Sequence, residues 1–288
     1  MTKGVAEAAV VYWKKKCKGV FTMSVLRVEY YSRALSTQAH FSAVLPNDIP
    51  PMMTDNPCYT RPSKVLVLLH GYSGCDSDWL TGSSIRELAA QYNLAVLMPA
   101  AGNSFYLNGE ASGTFYADFV GKELPEFAAK MFGLNISREN MWIGGLSMGG
   151  FGALHTALQF PDRFSKAMAL SSALIIHELP EMRPETGNSM ANYAYYKHTF
   201  GDLKTAPERD CNPEILVKKI QKEDSLMPDI FMACGTEDFL YEPNCAFHRF
   251  LEENRVHHVY RTAPGIHNWK FWEENLEPGI RWMLECEG

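Results

Sequence analysis

The sequence lacks several features that would assign it to common functional classes. It lacks an excess of basic residues: 27 lysine and arginine residues and 33 acidic residues give a formal net charge of −6. The lysines at 14–16 are too few for the basic stripe of a nucleic-acid-binding protein. No apolar run approaches the ~20 residues that span a bilayer. We therefore expect neither a nucleic acid nor a membrane as a partner.

Cysteine is also used sparingly. The seven cysteines are scattered, odd in number and contain no Cys-x-x-Cys pair, so neither a disulfide framework nor a zinc ribbon is indicated. No histidine cluster has metal-ligand spacing. The apolar stretch at the N-terminus precedes the lysines, whereas a secretory signal peptide carries its positive charge first. These features predict a cytoplasmic protein with reduced thiols and no metal site.

The length of 288 residues suffices for one large α/β domain, and 46% hydrophobic with 21% charged residues is typical of a globular protein. Residues 1–22 differ from the rest, because they show neither strand alternation nor a helix cap. They are either a translated leader ahead of a natural start at Met23 or an N-terminal helix packed on the body. Residues 23–288 are predicted to form a single domain.

Strand-like and helix-like segments alternate from Met23 onward. Residues 25–31 and 40–45 predict an antiparallel hairpin, and the almost continuously apolar residues 64–69 predict a strand covered on both faces. Further strands are predicted at 94–98, 141–144, 165–171, 229–233 and 258–262. Helices are predicted at 83–92, 114–132, 148–160, 244–254 and 269–284.

This alternation predicts the α/β class, with a mostly parallel sheet and helices on both faces. The rhythm breaks between residues 175 and 225, which are rich in Pro, Met, Tyr and Asn and carry no strand signal. We interpret this stretch as a small cap-like insertion. It is expected over the carboxyl edge of the sheet, where α/β proteins bind their ligands.

The strongest chemical signal is Gly145-Leu146-Ser147-Met148-Gly149, which follows an apolar strand and precedes a helix. This matches the G-x-S-x-G nucleophile elbow in its required strand–turn–helix context. The serine of such an elbow sits on a tight turn, and a side chain at either glycine would crowd the adjoining strand or helix. Ser147 is therefore the predicted nucleophile.

The partners of this serine should follow it in the order acid, then histidine. Asp238 comes just past the predicted strand at 229–233, and Glu237 beside it is the second choice for the acid. His267 follows the last predicted strand and precedes the last helix, which is where the base is required. The spacings predict a Ser147–His267–Asp238 triad.

The loop His70-Gly71-Tyr72-Ser73-Gly74 directly follows the first buried strand. Loops at this position supply backbone N–H groups to a developing oxyanion. We assign the predicted oxyanion hole to the backbone N–H groups of Tyr72 and Met148, and a structural role beneath the loop to His70. This mechanism needs no metal or organic cofactor.

With these motifs in place, the chain from about Met23 to its end resembles the esterase D / S-formylglutathione hydrolase family of α/β-hydrolases, and most closely its tributyrin-esterase branch. The resemblance is carried by residues 65–74, 145–152, 234–240 and 265–269. It implies an α/β-hydrolase fold and the same roles for Ser147, Asp238 and His267. Members of the branch are bacterial carboxylesterases that act on short acyl esters, acetylated sugars or feruloyl esters.

The leading hypothesis is a serine carboxylesterase for short-chain acyl esters such as acetyl or butyryl esters. A feruloyl or cinnamoyl esterase, a thioesterase like S-formylglutathione hydrolase and a catalytically inactive binding module are the alternatives. The partner is then a small-molecule ester, and the sequence leaves the oligomeric state open. The candidates for lining the substrate pocket are Phe105, Tyr193, Tyr196 and Trp269.

Overall fold

The computed structural model describes residues 23–46, 56–185 and 190–285, and the segment 1–22 lies outside these described residues. Eight strands form one sheet in the order β1-β2-β4-β3-β5-β6-β7-β8. The strands are β1 Ser24–Ser32, β2 Thr37–Leu45, β3 Lys64–Leu69, β4 Leu94–Pro99, β5 Met141–Leu146, β6 Lys166–Leu170, β7 Asp229–Gly235 and β8 His258–Ala263.

The first two strands form the predicted antiparallel hairpin, and β2 also pairs antiparallel with β4. All other neighbouring pairs, from β4 through β8, are parallel. The α/β class predicted from the sequence is thus confirmed. Because parallel strands end together, the loops that follow β3, β5, β7 and β8 meet at one edge of the sheet, which is where the candidate site lies.

Helices follow the strands on both faces of the sheet. They are α1 Asp78–Gly82, α2 Ile85–Tyr92, α3 Tyr116–Asp118, α4 Leu124–Phe132, α5 Met148–Gln159, α6 Tyr193–Phe200, α7 Pro213–Lys222, α8 Tyr241–Glu253 and α9 Trp269–Glu285. Short 3₁₀ turns lie at Pro57–Thr60, Arg138–Asn140, Leu179–Glu181 and Ala206–Glu208. None of the helices within the described residues is long and apolar enough to cross a membrane.

The predicted uninterrupted helix at 114–132 is wrong in its middle. A π-helical turn, Phe119–Glu123, separates α3 from α4. Pro125 lies in the first turn of α4 and has no N–H to donate to the carbonyl of Gly121, so the regular pattern of hydrogen bonds cannot continue through this point. The helix then ends at Gly133, whose φ of 69° is the left-handed conformation typical of a helix C-terminus.

The hydrophobic core consists of one layer on each face of the sheet. Along β3, Val65, Val67 and Leu69 belong to the layer that contains α5, whereas Leu66 and Leu68 belong to the layer that contains α9. All six residues of β3 are buried, as a central parallel strand requires. This two-sided burial holds the end of β3, and with it the loop after Leu69, in a fixed position.

The predicted insertion at 175–225 contains no strand in its described part, in agreement with the sequence pattern. It carries α6 and α7 instead. Asn192 caps the start of α6 by accepting a hydrogen bond from the backbone N–H of Tyr195, and Asn212 does the same for α7 through Glu214. Helix α7 packs against α5, and α6 approaches the loops at the carboxyl edge of the sheet.

Candidate active site

Ser147 occupies the turn between β5 and α5. Its backbone has φ 55° and ψ −119°, a conformation that is costly for a residue other than glycine. The backbone N–H of Ser147 donates to the carbonyl oxygen of Leu170 over 2.8 Å, which ties the strained turn to the neighbouring strand β6. The surrounding sheet therefore maintains the strain and holds the side chain at its edge.

The two motif glycines are required by close backbone contacts. A Cβ atom added at Gly145 would lie 2.3 Å from the carbonyl oxygen of Gly149. A Cβ atom added at Gly149 would lie 2.4 Å from the carbonyl oxygen of Leu69 and 2.6 Å from that of His70. These distances are far below van der Waals contact, so the sharp strand–turn–helix path exists only with glycine at both positions.

The three side chains predicted for the triad come together at this edge. His267 Nε2 lies 3.0 Å from Ser147 Oγ, and His267 Nδ1 lies 2.9 Å and 3.0 Å from the two carboxylate oxygens of Asp238. A carboxylate can only accept, so Nδ1 carries the imidazole proton and Nε2 presents its lone pair to the serine hydroxyl. This arrangement can remove the hydroxyl proton of Ser147.

The Asp238 side chain is fully buried beside His267. Burial by itself raises the pKa of this carboxyl. The hydrogen bond from His267, a second from the backbone N–H of Leu240 at 2.9 Å and the attraction of the imidazole together outweigh burial and lower the pKa. Asp238 is thereby held as a carboxylate that can orient the imidazole.

Glu237, the second choice for the acid, makes a different contact. Its carboxylate accepts a 2.6 Å hydrogen bond from the backbone N–H of Gly265, while its own N–H donates to the carbonyl oxygen of Gly265 over 3.0 Å. Glu237 therefore joins the loop after β7 to the loop that carries His267. The structure assigns the histidine contact to Asp238 and a bracing contact to Glu237.

His70 lies buried beneath the glycine-containing loop after β3. Its Nε2 accepts a 3.1 Å hydrogen bond from the backbone N–H of Ala101, so Nδ1 carries the proton and donates to the carbonyl oxygen of Gly71 over 2.7 Å. Burial, the largest effect, lowers the pKa of His70 and keeps the ring neutral in this role. The Tyr106 hydroxyl donates to the carbonyl oxygen of His70 over 2.8 Å and fixes the loop from its other side.

The predicted oxyanion donors lie in the elbow and in the loop after β3. Met148 is the first residue of α5, where a backbone N–H has no partner within its own helix. Tyr72 follows Gly71 in the loop after β3, and the next N–H, that of Ser73, donates to Asn103 Oδ1 over 2.7 Å. Within the described residues, neither the Tyr72 nor the Met148 N–H has a protein acceptor. Their role as oxyanion donors stays a prediction.

A comparison with known proteins identifies the family to which the chain belongs. The model of the family described as "Putative esterase" matches residues 32–283, which is most of the chain. The chain belongs to this esterase family.

The esterase is 39% identical to the acetyl esterase of Caldicellulosiruptor saccharolyticus over 261 residues, which cover 91% of this chain and 98% of that protein. The substrate-bound fluorophosphonate-binding serine hydrolase F of Staphylococcus aureus is 27% identical, with a TM-score of 0.78 over 92% of this chain and 99% of its own. The apoenzyme of S-formylglutathione hydrolase from Staphylococcus aureus is 28% identical, with a TM-score of 0.77 over 92% and 100% of the two chains.

These likenesses confirm the predicted membership of the esterase D / S-formylglutathione hydrolase family and the α/β-hydrolase fold. They extend over almost the whole described chain, as the four sequence segments indicated. The assignment to the tributyrin-esterase branch stays a prediction.

Two of the four pocket candidates in the esterase need correction. Phe105 and Tyr196 are only 4% and 3% exposed, and both pack against Phe200 in the core. Phe105 has φ 50° and the next residue has φ 57°, and this unusual pair of left-handed residues carries the chain through a tight turn. At this degree of burial the two rings offer little surface to a substrate.

The other two pocket candidates, Tyr193 and Trp269, have different surroundings. Tyr193 lines a cavity of about 990 Å³ together with His155 and Phe200, and Ser147, Asp238 and His267 are absent from its lining. Trp269 is half-buried and packs edge-to-face against Trp79 and Trp272. A substrate contact for these two residues stays a prediction.

Two residues outside these four candidates contact the site. The Tyr195 ring meets Tyr72 edge-to-face with centroids 5.5 Å apart, and its hydroxyl donates to the carbonyl oxygen of Asn103 over 2.8 Å. The Phe239 ring lies 4.6 Å from the His267 ring. Phe239 adjoins the predicted acid Asp238, and that adjacency is the one sequence signal that could have found it.

Proposed function

We propose that the protein is a serine carboxylesterase that hydrolyses esters of short acyl chains through a covalent acyl-enzyme. The observation that carries the proposal is the continuous hydrogen-bonded chain from Ser147 Oγ through His267 to Asp238, with distances of 3.0 and 2.9 Å. Membership of the esterase family supports the same conclusion.

In the first half of the reaction, His267 Nε2 takes the hydroxyl proton while Ser147 Oγ attacks the ester carbonyl. Asp238 keeps the imidazole in the required tautomer and stabilises the imidazolium that forms. The proton is then delivered from Nε2 to the alcohol oxygen, the carbon–oxygen bond breaks and the alcohol leaves. Water attacks the acyl-enzyme in the second half, with His267 again acting as base.

The tetrahedral intermediate carries its negative charge on the former carbonyl oxygen. We assign its stabilisation to the N–H groups of Tyr72 and Met148, since one lies on the braced loop and the other at a helix N-terminus. Each such donor is worth about 3–4 kcal/mol in a comparable protease site. These roles involve only the chain's own residues.

Two substrate classes have specific support. The 39% identity to a protein named acetyl esterase favours a short acyl group on an alcohol. The structural likeness to a protein named S-formylglutathione hydrolase favours a small acyl thioester as the second candidate. Butyryl and feruloyl esters stay predictions.

A cytoplasmic location also stays a prediction. Within the described residues, Cys58, Cys75, Cys211, Cys234 and Cys245 are all free thiols.

The proposal is tested by labelling and by a substrate panel. A fluorophosphonate probe should modify the purified protein at Ser147, because the probe reacts with a serine that a histidine activates. Acetyl, butyryl, octanoyl and feruloyl esters of one alcohol, together with an acetyl thioester, should then rank with acetyl first. A protein that neither reacts with the probe nor cleaves any member of the panel is an inactive binding module.

Replacement of Tyr195 by Phe should lower kcat about two- to tenfold and leave KM nearly unchanged. The loss removes one hydrogen bond, worth about 0.5–1.5 kcal/mol, from the contact that connects α6 to Asn103 and so to the Tyr72 loop. An oxyanion donor acts in the transition state, so the effect should appear in kcat. Tyr31→Phe, an exposed residue of β1, is the matched control, and an equal loss in both variants would contradict the bracing role.

A further inference from the structure

Two large apolar side chains are exposed directly beside the acid and the base of the triad. Phe239 follows Asp238 in sequence and is 64% exposed, and Ile266 precedes His267 and is 54% exposed. They lie on the loops after β7 and β8, at the carboxyl edge of the sheet. Single exposed apolar side chains are ordinary, but these two each adjoin a residue of the triad, which makes them candidates for contact with a substrate.

The Phe239 ring makes direct contact with the catalytic imidazole. The two ring centroids are 4.6 Å apart and the planes are inclined by 49°. His267 also meets the ring of Trp272, which is 7% exposed, at 5.0 Å and in an edge-to-face arrangement. Because Trp272 is itself almost fully buried, its ring can shield one side of the imidazole from solvent. Phe239 leaves nearly two thirds of its surface open, so shielding alone does not account for it.

The loops that carry these side chains are joined firmly. The two hydrogen bonds between Glu237 and Gly265, at 2.6 and 3.0 Å, connect the segment before Phe239 to the segment before Ile266. Asp238 adds its own bonds to His267 and to the Leu240 N–H. The exposed apolar surface is therefore held in a fixed position relative to His267 Nε2, as a binding surface requires.

The proposed reaction determines which part of a substrate meets this surface. His267 Nε2 delivers a proton to the alcohol oxygen as the first carbon–oxygen bond breaks, so that oxygen must lie within hydrogen-bonding reach of Nε2. The substituent on the alcohol oxygen then begins next to the imidazole and its neighbour Phe239. We propose that Phe239 and Ile266 bind the alcohol part of the ester and favour aromatic or bulky apolar alcohols. This inference rests on the proposed esterase function.

The test compares benzyl acetate with ethyl acetate. Both esters give the same acetyl-enzyme, so a difference between them arises before the alcohol has left. In Phe239→Ala, the ratio of kcat/KM for benzyl acetate to that for ethyl acetate should fall about two- to tenfold, which is the range of a single aromatic contact. Ile266→Ala should lower the ratio in the same direction, and Phe239→Tyr should preserve it because the ring remains.

Leu226→Ala is the matched control, because Leu226 is also 64% exposed but precedes β7 at the opposite edge of the sheet. Its ratio should equal that of the native protein. The ratio of benzyl acetate to benzyl butyrate should not change in Phe239→Ala, since both share one alcohol. An equal loss on all esters, or a change in acyl preference, would overturn the alcohol-side inference while leaving the esterase proposal intact. Native protein that cleaves no ester would instead overturn the esterase proposal itself.

Discussion

Replacement of Ser147 by Ala should lower kcat for ester hydrolysis by about a millionfold, the loss found when the nucleophile of a serine protease is removed. The reason is that no other hydroxyl accompanies Ser147 Oγ at 3.0 Å from His267 Nε2 within the described residues. The measurement is kcat on a short-chain acetyl ester with purified protein, together with the loss of fluorophosphonate labelling.

The fold of this variant should remain intact. Alanine removes one hydroxyl group, and the backbone bond from residue 147 to Leu170 does not depend on the side chain. Ser36→Ala is a suitable control, because Ser36 is also a serine with a positive φ, 52°, but lies in the turn between β1 and β2. Full activity in the control and a similar melting temperature in both variants are expected. Substantial hydrolysis by Ser147→Ala would show that the nucleophile is another residue.

The geometry of the elbow could be predicted because its requirements fall on a few consecutive residues. Gly145 and Gly149 are required by contacts within the turn and with the end of β3, and such contacts leave a short, recognisable pattern in the sequence. Asp238 and His267 could be predicted for a related reason. Asp238 follows the buried strand β7 and His267 follows the more exposed edge strand β8, and parallel strands bring the loops that follow them to one edge of the sheet.

The substrate-facing residues could not be predicted in the same way. The sequence does not distinguish Tyr193, Tyr195 and Tyr196, because all three are tyrosines in one short segment. Only the bounds and rotation of α6 decide what surrounds each ring. Tyr196 and Phe200 are one helical turn apart and face the core, while Tyr195 points to Tyr72, whose position depends on a loop more than 100 residues earlier. Phe105 is turned into the core by two consecutive residues in the left-handed conformation. Neither is a glycine, so the sequence carries no sign of this turn.

Replacement of Asp238 by Asn should lower kcat by up to about 10⁴-fold, as in a related triad. The amide has the shape of the carboxylate, and its oxygen can still accept the Leu240 N–H. Its NH₂ group, however, donates to His267 Nδ1 and moves the imidazole proton to Nε2. The base then has no lone pair facing Ser147. The measurement is kcat on an acetyl ester, with the melting temperature recorded to exclude unfolding.

The control for this variant is the neighbouring residue. In Glu237→Gln, the amide oxygen can still accept the 2.6 Å hydrogen bond from the Gly265 N–H, so the connection between the two loops persists. Its kcat should therefore fall only a few-fold, since Glu237 does not touch the imidazole and its hydrogen bond to the Gly265 N–H loses only the negative charge on the acceptor. A severe loss in Glu237→Gln with a mild one in Asp238→Asn would reverse the assignment of the acid. Comparable losses in both would mean that the imidazole depends as much on the fixed position of its loop as on the carboxylate that binds it.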